Sequence, residues 1–481
     1  MGEFEEFQAT RQAMNEVMKA LKDDEVDAVG VFGMGGVGKT TMVNHVVNHV
    51  GAQARKNWIF HHVIMAVVSQ NPNFEKLQDA LAEQLGFKLW EQTEIGRIAS
   101  LNKEIMRREK LLIILDDVWG RIELSKIGIP SYKELQKCKS KVLLTTRIKN
   151  VCHVKRCQRK ITLGVLSEQD SWTLFLRNAG IMSFESTTFE NVARRVAGEC
   201  KGLPIALIAV ARALGDKDLA EWEKAAQRLE KSQYANPNHE EDAFKCIRLS
   251  YDYLKHEDHK SCFLLCCLYP EDHDIRLENL FKYAIGTGLF RRDAETIEEA
   301  RGIADSVVKY LKDSSLLLDS EKKGYVKMHD VIRDAALNIA KSEDGHGFLV
   351  KAGCGMEDWL PRGLHEGCTA ISLMRNKIRK LPEEELVCPN LQILLLKRNA
   401  GLNEIPEKFI QSLKELRVLD LSNTSISLLP QSFSLLINLQ ALYLDFCEKL
   451  IDISIVGKLK KLEILSIREY PLKESSREIG H

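Results

Sequence analysis

Nine residues constrain this chain more than any others: Gly33-Met34-Gly35-Gly36-Val37-Gly38-Lys39-Thr40-Thr41. They follow the apolar run Ala28–Phe32, and Val43, Val46, Val47 and Val50 then recur at helical spacing. A buried strand, a glycine loop and the start of a helix are the setting in which G-x-x-x-x-G-K-T holds phosphate. Glycines at Gly33, Gly35, Gly36 and Gly38, with Val37 between them, let backbone N–H groups turn inward around a phosphate. The helix N-terminus adds positive partial charge. Lys39 is placed to reach the β- and γ-phosphates, Thr40 offers a hydroxyl to Mg²⁺, and Thr41 completes the turn.

Such a loop needs a parallel sheet behind it. Four continuous apolar runs supply candidate strands at Ala28–Phe32, His62–Val68, Leu111–Leu115 and Lys141–Thr145, alternating with helical segments such as Asp79–Leu85. The third run ends in Asp116-Asp117-Val118-Trp119. A carboxylate closing a strand beside a phosphate loop is the expected Mg²⁺ holder, so Asp116 takes that role. Asp117 is the candidate catalytic base for an attacking water, and a pair of acids in a turn is the competing reading. The fourth run ends in Arg147, a candidate γ-phosphate sensor or else a surface ion-pair partner.

The composition removes several classes. Lys+Arg and Asp+Glu both total 68, so no global charge draws the chain to nucleic acid or anionic lipid. Its 12 cysteines form no C-x-x-C pair and follow no secretory signal, which reads as reduced thiols in the cytoplasm. No apolar run reaches the roughly 18 residues of a membrane span. The start, Met1-Gly2-Glu3-Phe4, lacks a myristoylation pattern and reads as a boundary within a longer protein. With 481 residues the chain has room for about three to four domains.

Toward the C-terminus the pattern L-x-x-L-x-L recurs, beginning at Cys368, Leu391, Leu416, Leu439 and Leu462, at intervals of 23, 25, 23 and 23 residues. Asn376, Asn399, Thr424 and Cys447 stand three places after each unit's last apolar site and are expected to bond the turn backbone. About five stacked units bury one continuous core. Lys397, Arg398, Asp420, Tyr443, Phe446 and Arg468 fall on the expected concave face. That face is suited either to a protein partner or to the chain's own nucleotide module.

Between these regions, Ser314–Leu318 and Tyr325–Met328 read as a hairpin, followed by a helix striped with Val331, Ile332, Ala335, Ala336 and Ile339: a winged-helix pattern. His329 lies at the strand-to-helix junction, either as a donor to a diphosphate or as a packing residue. Cys262, Cys266 and Cys267 on one helix read as buried packing, and His45 with His49 as a polar helix face rather than a metal pair. Mixed charges at Asp330, Arg333, Asp334, Lys341, Glu343 and Asp344 argue against DNA recognition by this helix.

Taken in order, Gly33–Thr41, Leu111–Trp119, Lys141–Arg147, Gly202-Leu203-Pro204-Ile205-Ala206, Cys262–Pro270 and Met328-His329-Asp330, followed by the repeats, resemble the NB-ARC module of plant NLR disease-resistance proteins. Leu115–Trp119, with its terminal Trp, looks like the coiled-coil class. The resemblance implies an α/β + α multidomain fold: a lead-in helix over 1–25, a P-loop domain over 26–160, a helical subdomain over 161–240 and a winged-helix subdomain over 241–345. A linker over 346–365 and leucine-rich repeats over 366–481 complete it. It further implies that Pro204 meets the adenine and His329 the β-phosphate of ADP.

The function so implied is a switch between ADP and ATP, with Mg²⁺, set off by a pathogen effector or a guarded host protein. It ends in homo-oligomerisation and hydrolyses ATP slowly at most. The implied setting is cytoplasmic, with a peripheral plasma-membrane site open for the full-length protein. An N-terminal coiled-coil domain and further repeats are expected outside this chain. A turnover ATPase with a repeat-based protein-binding arm is the alternative.

Overall fold

A computed structural model describes residues 7–469 apart from 54–58, 71, 121–122, 155–156, 232–238, 291–293, 295, 342–346 and 362–366. Glu343 and Asp344, and residues 1–6 and 470–481, thus lie outside the described residues. The chain divides into two compact units, Met1–Leu249 and Ser250–His481.

In the first unit, five parallel strands form one sheet: β1 (Ala28–Phe32), β2 (His62–Val67), β3 (Leu111–Asp116), β4 (Lys141–Thr146) and β5 (Arg159–Thr162). Their spatial order is β2-β3-β4-β1-β5. Every residue of β3 and β4 is buried, because helices cover both faces of the sheet. Alternate side chains serve separate cores. Ala28, Ile113 and Val142 point to one face, and Val29, Val31, Leu112 and Leu143 to the other. The four apolar runs are therefore strands. The fifth, β5, carries a single buried residue and offers no apolar run to read.

The lead-in is a helix over Gln8–Lys22, and it lays Ala13, Val17, Met18 and Leu21 into the second of these cores. Four further helices, Glu168–Ala179, Thr187–Glu199, Pro204–Leu214 and Leu219–Lys231, follow the sheet in this unit, and the helix His239–Asp252 runs across its boundary. Aromatic rings fasten three of them, with Phe175 edge-on to Trp222 at 5.8 Å and Phe189 edge-on to the same ring at 5.5 Å.

The second unit opens with helices and a three-stranded antiparallel sheet of β6 (Ile275–Arg276), β7 (Leu318–Asp319) and β8 (Tyr325–Lys327), ordered β6-β8-β7. Strand β8 and the helix Asp330–Lys341 stand where the sequence placed them, whereas the first hairpin strand, expected over Ser314–Leu318, is the shorter Leu318–Asp319, because residues 314–317 form a turn and bend after the preceding helix. Val331, Ile332, Ala335, Ala336 and Ile339 are buried. Strand β6, two residues long, went unseen. Cys262, Cys266 and Cys267 are buried on and just after the helix Glu257–Cys266.

The repeats form a parallel six-stranded ladder: β9 (Phe348–Val350), β10 (Ala370–Ser372), β11 (Ile393–Leu395), β12 (Val418–Asp420), β13 (Ala441–Tyr443) and β14 (Ile464–Ser466). Five of these are the five expected units. The sixth, β9, lies where the sequence suggested a connection, and it pairs Phe348 with Ala370 although it lacks the leucine signature. The turn residues act as expected. Asn399 is fully buried, donates to Leu373 O at 3.0 Å and Leu396 O at 2.7 Å, and accepts from Ile378 N at 3.1 Å. Thr424 Oγ1 donates to Leu421 O at 2.7 Å, and Cys447 Sγ to the same oxygen at 3.2 Å.

The concave face is shared. Tyr283, on the helix Leu277–Gly286, donates its hydroxyl to Asp420 Oδ2 and meets Tyr443 edge-on at 5.4 Å. Arg417 donates to Thr287 O at 3.3 Å, and Ser372 Oγ to Leu268 O at 2.7 Å. The helix Leu277–Gly286 of the same unit thus covers Asp420 and Tyr443, whereas Arg398, Phe446 and Arg468 stay exposed.

Candidate functional site

The site is built at the C-terminal edge of the parallel sheet, where β1 feeds Gly33–Lys39 into the helix Lys39–Gln53. Gly36 and Gly38 adopt φ of +73° and +99°, values that favour glycine. Each has a separate further use. A Cβ on Gly38 would meet no heavy atom within 4 Å, so the loop is open there to an approaching group. A Cβ on Gly36 would stand 2.4 Å from Ile205 Cγ2. The loop therefore packs on the start of the helix Pro204–Leu214, which sequence reasoning brought in only through Pro204. Pro204 occupies the first turn of that helix, where its missing N–H costs nothing. It follows Lys201 and Gly202, both with left-handed φ, and Gly202 O accepts from Leu166 N at 2.9 Å.

Lys39 folds back over the loop. Its ammonium donates to Gly33 O and Met34 O at 2.8 Å each, and the side chain is almost wholly buried. Burial pushes its pKa down to about 8. Asp117 and Asp116 work against that shift, and Arg147 adds to it.

Thr40 Oγ1 donates to Asp116 Oδ2 at 2.7 Å, so the two expected Mg²⁺ ligands already touch. Asp116 is 1% exposed, and burial raises its carboxyl above the ordinary value against the bonds from Thr145 and Thr40. A buried carboxylate beside a hydroxyl at a phosphate loop is a hard oxygen donor set, which fits a small divalent cation.

Strand order explains a residue that the sequence did not single out. β4 lies between β1 and β3. Its Thr145 therefore bridges the site: Oγ1 donates to Asp116 Oδ1 and accepts from Asp117 N at 2.9 Å. A threonine one place before the strand's end was the only available signal. Asp117 sits in a left-handed turn at φ +54°. Its Oδ2 accepts from Trp119 Nε1 at 2.7 Å, and its Oδ1 lies 3.5 Å from Arg147 Nε. Arg147 in turn stacks over the Trp119 ring at 4.4 Å. Asp117 and Arg147, read separately in the sequence, are thus partners. The ion-pair reading of Arg147 is realised, as a buried pair rather than a surface one.

His329 belongs to the second unit, where it immediately precedes the helix Asp330–Lys341 with Nδ1 2.5 Å from Asp330 Oδ1. His45 and His49 lie half-buried and exposed on the helix after the loop. Among the described residues no helix is long and apolar enough to cross a membrane.

Comparison with known proteins adds the following. Residues 10–185 match the NB-ARC domain family and residues 389–448 the leucine-rich repeat family. Disease resistance protein At4g27190 of Arabidopsis thaliana is 36% identical over 456 residues, covering 94% of this chain and 46% of that protein. Probable disease resistance protein At4g27220 of the same plant is 35% identical, covering 94% and 48%. Disease resistance protein RFL1, also from Arabidopsis thaliana, is 34% identical, covering 90% and 49%. The chain thus spans about half the length of the curated relatives it matches.

Proposed function

On the premise that this chain belongs to the plant NB-ARC leucine-rich-repeat proteins of disease resistance, we propose that it is the nucleotide-dependent switch of such a receptor. The observation that carries the reading is the assembled loop. The Lys39 ammonium is held by Gly33 O and Met34 O, and Thr40 is bonded to Asp116 at 2.7 Å. An ammonium over the loop and a carboxylate–hydroxyl pair beside it are the donor set that phosphate and a divalent cation require.

The nucleotide is ADP or ATP. Gly33, Gly35, Gly36, Val37 and Gly38 present backbone donors, Lys39 and Thr41 complete the cradle, and Thr40 with Asp116 holds Mg²⁺. Mg²⁺ supplies charge neutralisation between phosphates. Pro204 offers the base an apolar surface. Arg147 senses the γ-phosphate, and His329 favours the ADP-bound resting form. Asp117 is a poor candidate for a free catalytic base, since both its oxygens face partners, Trp119 Nε1 and Arg147 Nε. A switch needs only that ADP binds the resting form more tightly than the active one. Perception of an effector or a guarded host protein, followed by oligomerisation in the cytoplasm, is the remaining part of this proposal.

The test is the nucleotide carried by purified protein, released by denaturation and separated by chromatography. Wild-type protein is expected to carry about one adenine nucleotide per chain and Lys39→Ala none. Retention of ADP by Lys39→Ala overturns the assignment. Sustained multiple turnover of ATP without a partner replaces the switch with a turnover ATPase.

A further inference from the structure

The strand ends at β3 and β4 carry one side chain for which the nucleotide reading has no use. Trp119 lies three residues past β3, and Arg147 one residue past β4, on adjacent strands. The indole does two things at once. Its face lies under the Arg147 guanidinium at 4.4 Å, and its edge N–H donates to Asp117 Oδ2 at 2.7 Å. Arg147 Nε then lies 3.5 Å from Asp117 Oδ1, which closes a triangle of ring, carboxylate and guanidinium. The third side is long for an ion pair and cannot by itself fix an arginine with several rotatable bonds. The ring face supplies the missing restraint. Stacking sets the plane of the guanidinium.

We propose that Trp119 is a positioning residue that presents Arg147 to the terminal phosphate of a nucleoside triphosphate, and so sets the preference for triphosphate over diphosphate. The proposal rests on the reading of the P-loop as an adenine-nucleotide site. Two further observations support it. Arg147 is only 8% exposed at its side chain, so its charge is held inside the edge of the sheet rather than in solvent. The backbone of Asp117 is pinned as well, by its N–H to Thr145 Oγ1 at 2.9 Å. The anchor of the indole is thus as fixed as the strand itself.

The test measures dissociation constants of ADP and of the non-hydrolysable adenosine 5′-(β,γ-imido)triphosphate for wild-type, Trp119→Phe and Trp119→Leu protein, using the full chain with Mg²⁺. Trp119→Leu removes both the ring face and the N–H. It is expected to weaken the triphosphate analogue about tenfold while ADP affinity changes less than about twofold. Trp119→Phe keeps a face and loses the N–H, and is expected to weaken the analogue about threefold. A ring that only fills space would leave Trp119→Phe at wild-type values. Equal weakening of both nucleotides, or wild-type values in Trp119→Phe and Trp119→Leu, overturns the proposal. If Trp119→Leu fails to fold, Trp119→Phe alone decides. Wild-type protein that binds neither nucleotide overturns the nucleotide reading and this proposal together, whereas wild-type binding with no selective effect overturns this proposal alone.

Discussion

Gly36 carries two constraints in one residue. Its φ of +73° strains any side chain, and the space above its Cα is filled by Ile205 Cγ2 at 2.4 Å. Gly36→Ala is expected to destabilise the first unit by about 2 kcal/mol in urea unfolding and to weaken nucleotide binding. Adding Ile205→Ala removes the clash but not the backbone strain, so the double variant is expected to recover only part of the loss. Strict additivity would show that the two residues do not meet. The residues of the loop were legible because their chemistry is local: Lys39, Thr40 and the glycines are set by spacing alone. Ile205 and Thr145 were not, since each enters the site from another helix or strand, and Trp119 was legible only as a mark of the class, because its meeting with Arg147 depends on strand order.

The same distinction holds for whole elements. Long runs buried on both faces, such as β3 and β4, announce themselves as apolar sequence, whereas β5, β6 and β9 are short, bury one residue each and leave no period to detect. Between elements, polar pairs fix the packing. Lys245, on the helix His239–Asp252, donates to Glu199 Oε2 at 2.8 Å. Partial burial works to raise the Glu199 carboxyl, but the bond and charge of Lys245 outweigh it and hold the carboxyl below its ordinary range. Burial likewise works to lower Lys245, and Glu199 with Asp242 outweighs it.

A depressed carboxyl contributes stability above its unfolded value, near 4.5, and loses it as pH falls through the folded value. The raised lysine contributes below 10.5 and loses it as pH rises through its folded value. Glu199→Gln is therefore expected to cost about 1 kcal/mol at pH 7, a penalty that fades below about pH 4, read from melting curves across pH. In the repeats, Asn399→Ala leaves Ile378 N, Leu373 O and Leu396 O without the side chain that joins them. It is expected to cost about 3 kcal/mol in denaturant unfolding, well above Thr424→Ala, which removes one hydroxyl bond.

At the scale of the whole molecule, the helix Leu277–Gly286 packs against the repeat ladder inside the second unit. Gly286 sits so close to the ladder that a Cβ there would meet Ala441 Cβ and Val418 Cγ2, both at 2.7 Å. Tyr283 and Asp420 bond in the same interface, and burial raises the phenol well above its usual value, keeping it a donor. Gly286→Val is expected to speed amide hydrogen exchange together in 277–286, 418–420 and 441–443. Faster exchange in the helix alone would show that the contact couples nothing.

The sequence by itself determined the phosphate loop, the acid that faces it, the class of sheet behind it and the presence of stacked repeats. Each is written in spacing along the chain: a glycine loop before a lysine, a carboxylate ending an apolar run, a leucine period near 23 residues. Only the tertiary structure decided that Asp117, Trp119 and Arg147 close on one another, that Ile205 roofs the loop, and that the chain's own helix covers part of the concave face. These depend on strand order and on the close approach of backbones at Gly36 and Gly286. Contacts between segments far apart in sequence leave no period in it to read.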